Sequence, residues 1–425
     1  MKYNPDSYLL YGTAKPPRPR YPIRVRVIMK DAVKADVLER AAQSAIKRYP
    51  YFAVRVEVDG EGGYVLKPNE RPIAVLATQR KAPALGSETV NRHLAFIDYE
   101  GCDIFFNIHH TLTGAVGLYE WAKTTLYEYV REAYGVTPDS DGIHLPDSPL
   151  LPGETDFPDV HSLKAKAYEP PFTNADVNHF IMQNIIGALC PFFTPKYYTF
   201  EFEQDALLDY AKKHGGTPAS VLSVLMFKAL DKVLPQKAQL IATSVSHNFR
   251  KNVGCPNSYR DLVQQLYLPF KRDMVSWSVS DLCAFARDKM QEQMTPENAA
   301  AEMQRVVKDY EFTDTLPTLE AKRKYNLMHS RYMSQLRGTF VVSYLGQKNW
   351  GGLEPYIQAA YTISEGHMVM QALNISGKFC VSIFTVVPSH KHINAFCQTL
   401  DNEGLAYTIK GPFKKNLPDV DIPKA

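Results

Sequence analysis

Two adjacent histidines, His109 and His110, close the apolar stretch Asp103-Ile104-Phe105-Phe106-Asn107-Ile108 and run into Thr111-Leu112-Thr113-Gly114-Ala115. An unperturbed imidazole titrates at about 6.5, so near neutral pH it can take a proton from a hydroxyl or amine as that group attacks an electrophile. The aromatic-rich run after Gly101 reads as a buried strand. Residues 116–134 carry apolar side chains at helical spacing, so the pair sits where a strand stops and a helix is about to start. Successive strand side chains point to opposite faces; one histidine is therefore structural and the other faces an opening. With 12 histidines in 425 residues, chance supplies an adjacent pair roughly one time in three. Taken alone, then, the pair describes a satisfied core histidine more often than a catalytic one, and the strand-end position is what raises chemistry.

The elements that must position this pair follow from periodicity. Residues 23–29 alternate in a strand-like way, and 34–48 place Val37, Leu38, Ala41, Ala42, Ala45 and Ile46 on one helical stripe that Pro50 stops. A hairpin is expected over 52–66 around the glycine-rich turn 59–63. Nine prolines between 136 and 195 block helices and central strands. That segment reads as a long crossover, either a surface loop or a segment that wraps between two lobes and walls a tunnel, with one short helix around 178–189. The second half offers strands at 197–202, 240–245, 339–343, 368–375 and 379–385, the last two joined by a tight Ser376-Gly377 turn. Helices are expected from 205, over 217–234 behind a Thr217-Pro218 start, and at 280–294, 297–310, 319–336 and 389–403, before a closing strand near Tyr407. The division is a first lobe at 1–135, a proline-rich linker at 136–195 and a second lobe at 196–425, both lobes built of mixed sheet and helices.

Composition narrows the function. A hydrophobic content of 45%, 22% charged residues and a formal charge of +3 describe a globular chain with no electrostatic case for nucleic acid or an anionic membrane. No run approaches the length of a membrane span and no leader is evident, so the cytoplasm is the expected location. The six scattered cysteines form no ligand spacing and read as reduced core residues; no metal site is expected. There is no G-x-S-x-G, phosphate loop, G-x-G-x-x-G or H-E-x-x-H, so hydrolase, NTPase, dinucleotide enzyme and zinc protease all lose weight.

Three segments together resemble the chloramphenicol acetyltransferase-like superfamily, which includes condensation domains and alcohol acetyltransferase-like proteins. His109-His110-Thr111-Leu112-Thr113-Gly114-Ala115 resembles its HHxxxDG segment. Ser246-His247-Asn248-Phe249-Arg250 resembles P-V-N-L-R, and Ser343-Tyr344-Leu345-Gly346 resembles S-N-x-G. The order is kept, each lies at a strand end, and the similarity spans nearly the whole chain. The resemblance implies two α/β sandwich lobes with a tunnel between them and His110 as a general base. It also implies Asn248 and Arg250 as supporting residues, Ser343, Tyr344 and Gly346 on the tunnel, and acyl-CoA or an acylated carrier protein as donor, with no permanently bound cofactor. Gly114 stands where the family has an Asp that pairs with the Arg matched by Arg250, Ala115 where it has Gly, Ser246 where it has Pro, and Tyr344 where it has Asn. The missing acid puts loop geometry in question, and Arg250 must be solvated or held by another acceptor. Tyr344 either narrows the cavity, donates a hydrogen bond to the acceptor, or is merely packed. Two functions follow: acyl transfer from CoA to a small alcohol or amine, or a degenerate relative that binds a small molecule or carrier protein without turnover.

Overall fold

The computed structural model describes residues 5–13, 21–166, 195–234, 239–329, 338–366, 368–414 and 416–423. After a 3-10 segment at Pro5–Thr13 come β1 (Pro22–Met29), α1 (Ala35–Ile46), the hairpin β2 (Val54–Val58) and β3 (Tyr64–Pro68), β4 (Val75–Ala77), β5 (Ala95–Glu100), β6 (Asp103–His109) and α2 (Ala115–Tyr134). The second half holds β7 (Lys196–Glu203), α3 (Gln204–Lys213), α4 (Pro218–Asp231), β8 (Leu240–Asn248), β9 (Val263–Lys271), α5 (Val279–Gln293), α6 (Pro296–Asp314) and α7 (Leu319–His329). It closes with β10 (Phe340–Gln347), β11 (Ile357–Ser364), β12 (Met368–Ile375), β13 (Lys378–Thr385), α8 (Lys391–Asn402) and β14 (Thr408–Lys414). The helix expected at 178–189, and the end of the one expected at 319–336, lie outside the described residues.

Alternation in β1 buries Ile23, Val25 and Val27 on the face covered by helices, where the α1 stripe Val37, Leu38, Ala41, Ala42 and Ala45 meets them with Leu118 and Trp121 of α2. A helix forms over 115–134 because the apolar residues recur at its period. It ends at Gly135, whose φ of 66° lets its N–H turn back to the Arg131 carbonyl. In the second half, α4 starts on a capping box: Thr217 Oγ1 accepts from the Ser220 N–H while the Ser220 hydroxyl accepts from the Thr217 N–H, with Pro218 in the first turn. Its nearly all-apolar sequence then covers one face of a sheet lined by Leu266, Leu268, Phe270, Phe340, Val342 and Met370. Ser376 and Gly377 both take positive φ, 51° and 72°, in the two-residue turn joining β12 to β13.

These strands make a five-stranded sheet of order β11-β1-β6-β5-β4 and a seven-stranded sheet of order β14-β7-β13-β12-β10-β8-β9. β11 comes from the later half of the chain yet pairs antiparallel with β1, Thr362 opposite Val25. It also ties the sheets together, since the Tyr361 hydroxyl donates to Glu201 Oε1 at 2.7 Å and the Ser382 hydroxyl donates to the Thr362 carbonyl. Its pattern is nearly continuous burial because both faces are covered, so no alternation marks it as a strand. Among the described residues no helix is long and apolar enough to cross a membrane.

Candidate active site

His109 is the last residue of β6, paired with Pro22 of β1, and it is fully buried; its Nδ1 accepts the Thr111 N–H at 3.1 Å. That bond closes the turn by which the chain leaves the sheet. The backbone N–H of His110 donates to the Tyr21 carbonyl at 2.8 Å, and the half-buried ring lines a cavity of about 270 Å³. The walls of that cavity come from both sheets: Tyr21 to Ile23 and the start of α2 on one side, the pocket-facing residues of β8, β9, β10 and β12 on the other.

A carboxylate faces His110 in spite of the glycine at 114. Asp261, in the loop between β8 and β9, places Oδ2 3.4 Å from His110 Nδ1. Its Oδ1 lies 3.1 Å from where a β-carbon on Gly114 would be. The acid that the local motif lacks is therefore supplied from a segment about 150 residues downstream, in the space a side chain at 114 would use. The 3.4 Å contact is longer than a normal N–H···O hydrogen bond and brings ring and carboxylate within ion-pair distance. Nδ1 is the buried ring nitrogen, which leaves Nε2 as the one able to meet a ligand.

The loop that carries Asp261 is held on all sides. Arg250 is buried and donates Nε to the Ser258 carbonyl at 2.6 Å, Nη1 to Asn248 Oδ1 at 3.0 Å and Nη2 to the Arg260 carbonyl. Burial holds the Arg250 guanidinium below its usual range, against the opposing pull of Asp261 and Asp6. Its guanidinium thus fixes the backbone on both sides of Tyr259, immediately before Asp261. The Thr113 hydroxyl donates to the Tyr259 carbonyl at 2.6 Å, and the Thr111 hydroxyl donates to the Asp6 carbonyl at 2.7 Å. Asp6 Oδ2 in turn accepts the Asp261 N–H at 3.3 Å. From behind, the described part of the proline-rich linker supports the same loop. The Tyr259 N–H donates to the Glu154 carbonyl at 2.8 Å and the Ser258 hydroxyl to the Asp156 carbonyl at 2.6 Å. Glu154 is itself locked by Arg48 in a fully buried ion pair, Nη1 to Oε2 at 2.9 Å. Described linker residues are absent from the cavity wall; besides the loop they hold α2 through the Gly142 and His144 carbonyls and α6 through those of Val160 and Leu163.

The other residues singled out in the sequence divide. His110, Gly114, Asn248, Arg250, Ser343 and Tyr344 all border the one cavity, whereas His109 and Gly346 do not. Gly346 has φ of 73° inside β10, where the register with β12 shifts between Tyr344 and Gln347 as at a β-bulge. The Tyr344 ring stacks on Phe379, centroids 5.3 Å apart, and its hydroxyl donates to Asn374 Oδ1 at 3.1 Å. Its ring and its hydroxyl proton are thus engaged by the second sheet, while the residue also borders the cavity. Sequence reasoning missed Asp261, Gln265, Lys348 and Gln371. The only signal for Asp261 is its place just before the alternating strand 263–271, itself unmarked because Pro269 disguises an edge strand.

The sequence matches no protein-family model and no curated protein. Solved structures share its fold. Trichothecene 15-O-acetyltransferase TRI3 from Fusarium sporotrichioides superposes with a TM-score of 0.59 at 10% identity, over 94% of this chain and 93% of its own. F. graminearum TRI101 complexed with coenzyme A and deoxynivalenol gives 0.58 at 12% identity, over 96% and 98%. Polyketide synthase associated protein 5 from Mycobacterium tuberculosis gives 0.55 at 10% identity, over 94% and 95%. The chain has the two-lobed chloramphenicol acetyltransferase-like fold over nearly its whole length. Identities this low define a fold and leave the reaction to the site.

Proposed function

We propose that the protein transfers an acyl group from coenzyme A to a hydroxyl or amine, with His110 as general base. The observation that carries this reading is the pairing of a cavity-facing imidazole with a buried carboxylate: His110 Nδ1 rests 3.4 Å from Asp261 Oδ2 between the two sheets. A proton on Nδ1 directed at the carboxylate leaves the Nε2 lone pair for the acceptor. As the acceptor oxygen or nitrogen bonds to the thioester carbonyl carbon, its proton passes to Nε2. When the C–S bond breaks, the imidazolium returns that proton to the departing thiolate. Asp261 steadies the imidazolium formed between the two steps. Neighbours solved with coenzyme A bound support the donor, and the absence of an Asp at 114 loses its force once Asp261 stands in its place.

Thiol release from acetyl-CoA across a panel of alcohols and amines tests the reading. Release that falls about 10² or more in His110→Ala, with coenzyme A binding retained, is the expected result. Acceptors or coenzyme A that raise the melting temperature while no thiol is ever released would replace it with the reading of a binding protein without turnover.

A further inference from the structure

The cavity floor carries a polar band that general-base chemistry does not use. In β9 and β8, Gln265 lies opposite Ser246; in β10 and β12, Ser343 lies beside Gln371. β10 and β8 run parallel with Val341 beside Ser244 and Val342 beside Val245, so Ser343 follows at the level of Ser246. Four polar side chains, Gln265, Ser246, Ser343 and Gln371, therefore form one row across four strands, and all four line the cavity. Gln371 is 7% exposed, and the amide oxygens of Gln371 and Gln265 are buried without a hydrogen-bond partner among the described residues. Buried acceptors left unsatisfied cost stability and point to a missing donor.

The same cavity holds a cation. Lys348, in the segment just after β10, lines the wall. Neither hydrogen bond nor ion pair holds its ammonium among the described residues. Burial lowers its pKa; Glu120 opposes that effect, and Lys123 and Arg250 add to it. Glu120 is already engaged by Lys123 at 3.0 Å, while Arg250 acts against Asp261 and Asp6. Glu365, also on the wall, is not among the charges acting on Lys348. The Lys348 ammonium thus faces a cavity whose wall also carries Glu365, and its attraction for an anion there is stronger than in water.

Resting on the acyl-transfer reading above, we infer that the acceptor is a small hydroxyl or amine compound bearing a carboxylate, its anionic end held by Lys348 and its polar body laid along the Gln265–Ser246–Ser343–Gln371 row. The phosphates of coenzyme A present similar anionic oxygens, and the choice of donor separates the two sources.

The test compares acids with their primary amides (lactate with lactamide, serine with serinamide, 4-hydroxybenzoate with 4-hydroxybenzamide) in the full-length wild type and in Lys348→Gln. Donors are acetyl-CoA and acetyl-pantetheine. An acid-over-amide preference in kcat/KM of about tenfold or more, carried by KM and collapsed by Lys348→Gln with either donor, is expected. No preference, or one that Lys348→Gln leaves intact, overturns the inference while transfer itself stands. A KM rise in Lys348→Gln seen for acetyl-CoA and absent for acetyl-pantetheine also overturns it, because the lysine then reads the donor's phosphates. Should no acceptor release thiol, calorimetric binding of the acids that is weakened about tenfold by Lys348→Gln upholds the carboxylate site and rejects turnover alone; equal binding of acid and amide rejects the site as well.

Discussion

His110 Nδ1 stands 3.4 Å from Asp261 Oδ2, with that carboxylate's other oxygen 3.1 Å from the vacant β-carbon position of Gly114. A carboxylate from the loop after β8 thus faces a histidine at the end of β6, and the loop's Phe249, Val253, Tyr259 and Leu262 pack in the core shared with β1, α1 and α2. The loop bearing Asp261 is gripped by Arg250 through the carbonyls of Ser258 and Arg260, so the guanidinium is bound to loop backbone and not to residue 114.

Asp261→Asn should leave the fold intact and lower kcat by about 10², because an amide neither fixes the Nδ1–H tautomer nor stabilises the imidazolium. KM for acetyl-CoA should change little. Steady-state thiol release with a melting curve reads both; a wild-type rate in this variant would remove Asp261 from the mechanism.

His109 and His110 should separate cleanly. His109→Ala deletes the acceptor of the Thr111 N–H in a fully buried turn and should cost about 1–3 kcal/mol of stability. Residual activity per folded molecule should stay well above that of His110→Ala. Denaturant unfolding beside active-site-normalised rates distinguishes a structural role from a catalytic one.

Restoring the family's acid at 114 should do harm. Gly114 has an extended backbone, φ −82° and ψ −172°, that any residue adopts, so strain is not the obstacle. The obstacle is a second carboxylate within contact of Asp261, two like charges in a half-buried site. Gly114→Asp should lower melting temperature and rate, and adding Asp261→Gly should recover part of both. A double variant no better than either single one would show that the two positions do not share one site.

Gly117 is required by close packing. A β-carbon there would collide with Thr113 Oγ1 and lie 2.9 Å from Tyr259 Cβ, the two residues whose hydrogen bond joins the histidine loop to the Asp261 loop. Gly117→Ala should cost roughly 1–3 kcal/mol by overpacking and reduce kcat with it, against the gain that Ala normally brings to a helix. A stabilised variant would contradict the packing.

Acid should weaken the support behind the loop. Burial by itself would raise the Glu154 carboxyl, but hydrogen bonds from Arg48, the Leu151 N–H and Tyr51 together hold it below the usual range. A carboxyl depressed in the folded state contributes stability that is present above its unfolded value, about 4.3, and is lost as pH falls through the folded value. The urea midpoint should therefore drop below about pH 4. Glu154→Gln should flatten that limb while costing about 3–5 kcal/mol at neutral pH, because Arg48 is left buried and unpaired. An acid limb as steep in the variant as in the wild type would exclude Glu154 as its source.

Much of the scaffold was legible because its information is local. The alternation of Ile23, Val25 and Val27, the stripe of α1, the Thr217-Pro218 start of α4 and the Ser376-Gly377 turn each express a periodicity or a backbone preference within a few residues. The strand end at the histidine pair belongs to the same class. β11 was not legible, since a strand covered on both faces has no alternation, and its place beside β1 is set by the packing of two lobes. Nor could the sequence show what answers Gly114: Asp261 reaches His110 only because Arg250, Thr113, Asp6 and the linker around Glu154 fold one loop against another. Local patterns set the elements, whereas partners distant in sequence meet through the summed burial of many weak contacts. That is why the acid beside His110 and the cation at Lys348 were decided by the tertiary structure alone.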